Sequence, residues 1–103
     1  MIYLRPQDRQ LIEQLACEHL PSGTQLWLFG SRVKGTAHES SDVDLVVFPQ
    51  NEQDAASATV DLQQALQDSN LPLITQVFYW PQLPQRFQQN IRQAYEVLVE
   101  VGE

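Results

Sequence analysis

Apolar and polar positions along the chain recur with two different periods. Apolar residues return at helical spacing over residues 6–20, 51–69 and 84–94. Shorter apolar runs at residues 25–29, 43–48, 73–80 and 95–101 are typical of strands, and alternation in the last run predicts Leu98 on the side opposite to Val97, Val99 and Val101. Prolines and glycines separate these segments, so the pattern predicts helices that alternate with four strands.

The residues that could carry chemistry lie in the segment that forms the first strand, a bend and the second strand. Asp42 and Asp44 open the second strand, and side chains two residues apart in a strand point to the same face. Two neighbouring carboxylates repel each other, which raises the pKa of at least one of them unless a cation lies between them. Carboxylate oxygens without Cys or His ligands suit a hard ion such as Mg²⁺, so both aspartates are predicted metal ligands.

A candidate phosphate-binding bend precedes these acids. Gly30 and Ser31 follow the first strand at what we predict to be the start of a short helix, where backbone N–H groups can hold phosphate oxygens. Ser31 is equally consistent with a helix N-cap. Arg32 and Lys34 are the only cations between residues 10 and 85, and Arg32 is the stronger candidate for a nucleotide contact; an ion pair with a nearby acid is the alternative. Gly35 is predicted to end the helix in a left-handed conformation.

The Gly30-Ser31-Arg32 run, its ten-residue spacing to Asp42-x-Asp44 and the flanking strands resemble the DNA polymerase β-like nucleotidyltransferase superfamily, and the short length resembles its minimal branch. The resemblance implies an α/β (α+β) fold, a small mixed β-sheet with flanking helices. It also implies Asp42 and Asp44 as catalytic metal ligands, and Gly30, Ser31, Arg32 and Ser41 on the nucleotide. Minimal members are typically antitoxins that transfer AMP from ATP, with Mg²⁺, to a tyrosine of a partner HEPN toxin.

One position departs from that family pattern. Active members usually carry a third carboxylate on the third strand, where this chain has Gln76 and has no acid between Asn70 and Tyr95. Glutamine carries no charge and is a poor ligand for Mg²⁺. The sequence therefore leaves two interpretations open: a protein adenylyltransferase, or a binding module that neutralises its HEPN partner by direct contact in a hetero-oligomer. A phenolic acceptor, whose pKa is about 10, needs less activation than a ribose hydroxyl, which favours tyrosine as the target.

Composition and length limit the classes of binding partner and the number of domains. The 103 residues carry a net charge of −7 with only six Lys and Arg, so we expect no direct binding to long nucleic acids. The length predicts a single domain, residues 1–103. Without a membrane span or a signal-peptide pattern, we expect a cytoplasmic protein. Cys17 is the only cysteine, which excludes an internal disulfide, and its helical neighbours predict a buried or half-buried position.

Overall fold

The computed structural model describes residues 4–35, 42–50 and 55–102. Within these ranges, four helices, one 3₁₀ turn and four strands follow one another. In chain order they are α1 (Pro6–His19), β1 (Gln25–Phe29), α2 (Ser31–Lys34), β2 (Val43–Phe48), α3 (Ala55–Asp68), β3 (Thr75–Tyr79), the 3₁₀ turn (Trp80–Gln82), α4 (Gln85–Gln93) and β4 (Tyr95–Glu100).

The strands form one sheet in the order β3-β2-β1-β4. β1 is antiparallel to both of its neighbours, whereas β2 and β3 are parallel and are joined through α3. A parallel pair needs such a crossover, because a tight turn cannot return the chain to the same end of the sheet. The predicted fold class, a small mixed sheet with flanking helices, is confirmed.

One face of the sheet is covered by α1 and α3. Both helices place aliphatic side chains at helical spacing, and these pack with the alternate residues of the strands into one buried core. The members of this core with 0% exposure are Ile12, Ala16, Leu26, Leu28, Val43, Leu45, Val47, Ala55 and Leu62. The opposite face carries aromatic rings and is covered by α4, which contributes Ile91 and Phe87.

The last strand departs from its predicted alternation. A bulge interrupts the β1–β4 register between Leu26 and Trp27, whose partners are Val99 and Val97. Leu98 is therefore the extra residue, and it is buried in the aliphatic core together with Val101. The prediction that Leu98 faces away from Val99 and Val101 is wrong, because a bulge resets the two-residue period.

Two further expectations are corrected. Cys17 is exposed, since α1 turns its core side inward through Ile12 and Ala16. β3 is shorter than predicted: Leu73 and Ile74 precede it, and Trp80 belongs to the following 3₁₀ turn. The first four positions of the helix predicted over residues 51–69 lie outside the described residues, and α3 is described from Ala55. None of the helices in the described ranges is long and apolar enough to cross a membrane.

Candidate active site

Asp44 lies at the start of β2 between two neighbouring strands. Its register partners are Phe29 on β1 and Gln76 on β3. Val43 and Leu45 on either side of it are fully buried in the aliphatic core, so strand alternation turns Asp44 to the opposite face. The side chain is half-buried there, while Asp42, just before the strand, is exposed.

The two carboxylates interact electrostatically. Burial raises the pKa of Asp44 above its ordinary value of 3.8, and the charge of Asp42 raises the pKa further. The expected repulsion between the two acids is thus present in the structure. A divalent cation between two such groups would relieve both causes at once, since it replaces lost water and cancels the like charge.

The Gly30 bend faces this acid. Gly30 has a φ of 84°, which side-chain-bearing residues rarely adopt. A Cβ at this position would lie 2.5 Å from Oδ2 of Asp44, too close without displacing the carboxylate. Glycine is therefore required both by its backbone conformation and by the neighbouring acid.

Ser31 and the two cations have different environments within α2. Gly30 is the N-cap and Ser31 is the first helical residue, so the interpretation of Ser31 as the N-cap is wrong. Lys34 is exposed, whereas Arg32 is buried with 3% exposure. Gly35 ends the helix with a φ of 79°, as predicted. Ser41, the remaining predicted nucleotide contact, lies outside the described residues.

Gln76 occupies the position beside Asp44 where the family resemblance places a third carboxylate. It is exposed and shares its register position with Asp44 on the neighbouring strand. In the three described ranges no group of three or more His, Cys, Asp or Glu residues could hold a metal ion. Asp42 and Asp44 by themselves fit an ion that takes one or two carboxylates and completes its shell with water and phosphate, as Mg²⁺ does.

Sequence reasoning missed the aromatic cluster on the same face. The Trp27 ring stacks on Phe48, with ring centroids 4.5 Å apart, and on Tyr95, with centroids 4.2 Å apart. Trp80 contacts Trp27 in a T-shaped arrangement with centroids 5.2 Å apart. The guanidinium of Arg92 on α4 lies 5.0 Å from the Trp80 ring centroid and 5.8 Å from those of Trp27 and Phe48. The aromatic residues at alternate strand positions were a visible signal, but Arg92 comes from a distant segment.

A second group of rings lies nearer to the acids. Phe29, the register partner of Asp44, contacts Phe78 at 5.8 Å and Phe87 of α4 at 5.9 Å between centroids. Phe78 and Phe87 contact each other at 5.6 Å. Burial is the main cause of the raised pKa of Asp44, and this ring group begins at its register partner on β1.

A shallow cavity of about 280 Å³ lies at the other end of the sheet. Its lining comprises Gly23, Gln25, Phe48, Pro49, Gln50 and Glu100. Gln25 and Phe48 pair with each other at the ends of β1 and β2 that are farthest from Phe29 and Asp44. The cavity is therefore separate from the two aspartates.

Comparison with known proteins identifies the family of this chain. The family model described as polymerase beta, nucleotidyltransferase matches residues 11–103, and the chain belongs to this family. A curated relative, the probable protein adenylyltransferase MntA of Haemophilus influenzae, is 30% identical over 97 residues, which are 94% of this chain and 83% of that protein.

Solved structures share the fold. A chain of a toxin–antitoxin crystal structure with AMP-PNP has a TM-score of 0.71 and 23% identity, covering 96% of this chain and 75% of that one. A chain of the complex between a tri-AMPylated Shewanella oneidensis HEPN toxin and its MNT antitoxin has a TM-score of 0.69 and 20% identity, covering 97% and 74%.

Proposed function

We propose that this protein is a minimal nucleotidyltransferase that transfers AMP from ATP to a tyrosine of a HEPN partner and thereby acts as its antitoxin. The observation that carries the proposal is the apposition of the Asp44 carboxylate and the Gly30 bend, with Asp42 close enough to raise the Asp44 pKa. The relative named as a protein adenylyltransferase supports the reaction, and its coverage of 94% of this chain supports a single catalytic unit over residues 1–103.

The two aspartates would hold Mg²⁺, and the bend would accept the triphosphate. When bound, the ion supplies Lewis-acid polarisation of phosphoryl oxygens and offsets the charge that develops during transfer. Because Gly30 has no side chain, the Asp44 carboxylate lies directly against the backbone of the bend. We propose backbone and hydroxyl contacts from Ser31, and a further contact from Ser41. Arg32 is buried, so we propose that its positive charge stabilises the bend from the interior of the protein.

The transfer step forms one bond and breaks one. The phenolic oxygen of the acceptor attacks the α-phosphorus, the bond between the α-phosphorus and the bridging oxygen breaks, pyrophosphate leaves, and the phenolic proton passes to water. Gln76 is uncharged, so among the described residues two carboxylates lie where three would hold a second ion. Tyrosine fits this reduced site, because its pKa of about 10 makes it easier to deprotonate than an aliphatic hydroxyl.

The product would disable the partner. An attached AMP adds bulk and a negative charge to the surface it modifies, and both oppose binding of a negatively charged substrate there. The net charge of −7 argues against long nucleic acids as direct ligands of this chain, while a nucleotide whose charge is offset by Mg²⁺ remains compatible. We propose a hetero-oligomer with the HEPN protein in the cytoplasm, where ATP is available.

The test is to incubate the protein with its HEPN partner, Mg²⁺ and ATP and to weigh the partner by mass spectrometry. We expect gains of the mass of AMP on a tyrosine. Asp42→Asn and Asp44→Asn are each expected to slow transfer by about 10³-fold, since an active-site metal contributes several kcal/mol to the transition state. Asp61→Asn, which removes an exposed acid of α3, is the matched control and should leave the rate unchanged.

A second candidate function is inhibition by stable binding alone. Gln76 favours it, because the missing charge weakens metal binding beside Asp44. In that case the inhibited partner would be found in a complex by size-exclusion chromatography and would show no gain of mass. The Asp44→Asn variant would inhibit the partner as strongly as the parent protein does. A partner that gains AMP only with both aspartates intact excludes this candidate.

A further inference from the structure

The side chain of Gln63 on α3 bonds to the backbone of β3 with both ends of its amide. Nε2 donates to the Thr75 carbonyl oxygen at 3.1 Å, and Oε1 accepts from the Val77 N–H at 2.8 Å. These are the two bonds that an additional strand would make at this position. Gln63 therefore acts as a short substitute strand.

The bonded groups flank Gln76. The Val43 N–H donates to the Ile74 carbonyl oxygen at 2.8 Å, so the backbone groups of Ile74 and, two residues on, Gln76 point toward β2. Those of Thr75 and Val77 point outward, where Gln63 meets them. The residue between the two bonds is the one in register with Asp44.

The location makes this arrangement consequential. In the sheet formed by the described strands, β3 is an edge strand of five residues whose one strand neighbour is β2. A slip of one residue would turn Gln76 away from the face of Asp44, because side chains alternate between faces. Hydrogen bonds on both sides of one residue oppose such a slip and also occupy the edge against pairing with another chain.

We propose that Gln63 is a positioning residue for position 76: through the outer edge of β3 it holds this residue in register with Asp44, beside the candidate metal site. The inference rests on the proposed function, since position 76 matters only if Asp42 and Asp44 hold a metal ion. Gln64, the next residue on α3, provides the matched control: it is exposed, and its amide bonds Asp68 at 3.1 Å within the same helix.

The first test measures the backbone bonds by amide hydrogen exchange with NMR detection. In Gln63→Leu we expect the Val77 amide to exchange at least tenfold faster than in the parent, whereas Gln64→Leu leaves it unchanged. Gln63→Glu keeps the acceptor for Val77 but loses the donor to Thr75, so its Val77 amide should change less than threefold. Unchanged exchange in Gln63→Leu overturns the inference.

The second test measures positioning with Mn²⁺ in place of Mg²⁺, by titration calorimetry. Gln76→Asp adds a third carboxylate and should tighten Mn²⁺ binding at least tenfold. Combined with Gln63→Leu, the same substitution should tighten binding less than threefold, because residue 76 no longer stays beside Asp44. Gln63→Leu by itself should change the Mn²⁺ dissociation constant less than twofold, since both native ligands belong to the β2 segment.

The outcomes separate this inference from the proposed function. Equal tightening by Gln76→Asp with and without Gln63 overturns the positioning role and leaves the proposed function untouched. Failure of every variant, including the parent, to bind Mn²⁺ overturns the proposed function and with it the role of position 76. Should Gln63→Leu not fold, as judged by circular dichroism, Gln63→Glu replaces it, and coupling below twofold with Gln76→Asp is then the contradicting result.

Discussion

The sheet face that α1 and α3 cover consists mainly of aliphatic side chains, whereas the opposite face carries Asp44, Gln76 and most of the aromatic rings. β2 serves both faces, since Val43 and Leu45 are fully buried on one side while Asp44 between them lies on the other. A six-residue strand can thus anchor the core and present a half-buried acid at once. Strand alternation thus separates the residues of the core from those of the candidate site across the sheet.

Truncation of a core side chain tests the aliphatic face and should have the greatest effect on stability. Leu62→Ala removes a side chain of α3 with 0% exposure and should lower the free energy of unfolding by about 3 kcal/mol, because a cavity remains in the core. Affinity for Mn²⁺ should not change well below the unfolding midpoint. Urea denaturation and titration calorimetry give the two numbers. Val60→Ala, on the same helix but 68% exposed, should stay within about 0.5 kcal/mol of the parent.

The next effect tests the acidic end of the other face. Gln76→Asp should tighten Mn²⁺ at least tenfold, about 1.4 kcal/mol, because three carboxylates converge where two did. Without metal the same change should destabilise the chain through repulsion with Asp44. Thermal unfolding with and without Mn²⁺ measures both. A variant that binds the ion no more tightly would place position 76 out of reach of the aspartates.

A smaller effect is expected at the aromatic end of that face. Arg92→Met keeps the length of the side chain but removes the charge near three rings, and should cost about 1 kcal/mol of unfolding free energy. Tryptophan fluorescence during urea unfolding is a direct measurement, since Trp27 and Trp80 both contact the guanidinium. Arg86→Met, an exposed arginine of the same helix, should have no comparable effect. Equal losses would mean that only helix propensity is being measured.

The smallest effect concerns Asp44 and pH. Burial and the Asp42 charge raise the Asp44 pKa, so the stability that this group contributes is fully present below 3.8 and is lost as pH rises through the higher folded pKa. Asp44→Asn should therefore stabilise the metal-free chain at neutral pH, by less than about 1 kcal/mol for this partly solvated group, and have no such benefit in acid. Melting temperatures from pH 3 to 7 measure the difference. A benefit that grows toward low pH would contradict the assigned sign.

The local sequence pattern was sufficient to predict several elements of this fold. Strand β1 and strand β2 have the predicted bounds, and the positive φ of Gly35 was expected from its place after a short helix. Alternation along β2 is a property of adjacent residues, so the separation of Asp44 from Val43 and Leu45 could be inferred without coordinates. The fold class followed from these elements together with the motif.

Long-range contacts required the tertiary structure. The Gly30 bend lies against Asp44, Arg92 lies over rings from two strands and the 3₁₀ turn, and Gln63 bonds the edge of β3. Each joins segments that are distant along the chain, and no local period encodes which segments become neighbours. The bulge at Leu98 and the exposure of Cys17 were mispredicted for the same reason: pairing with β1 and the packing of α1 decided them, not their own neighbours in sequence.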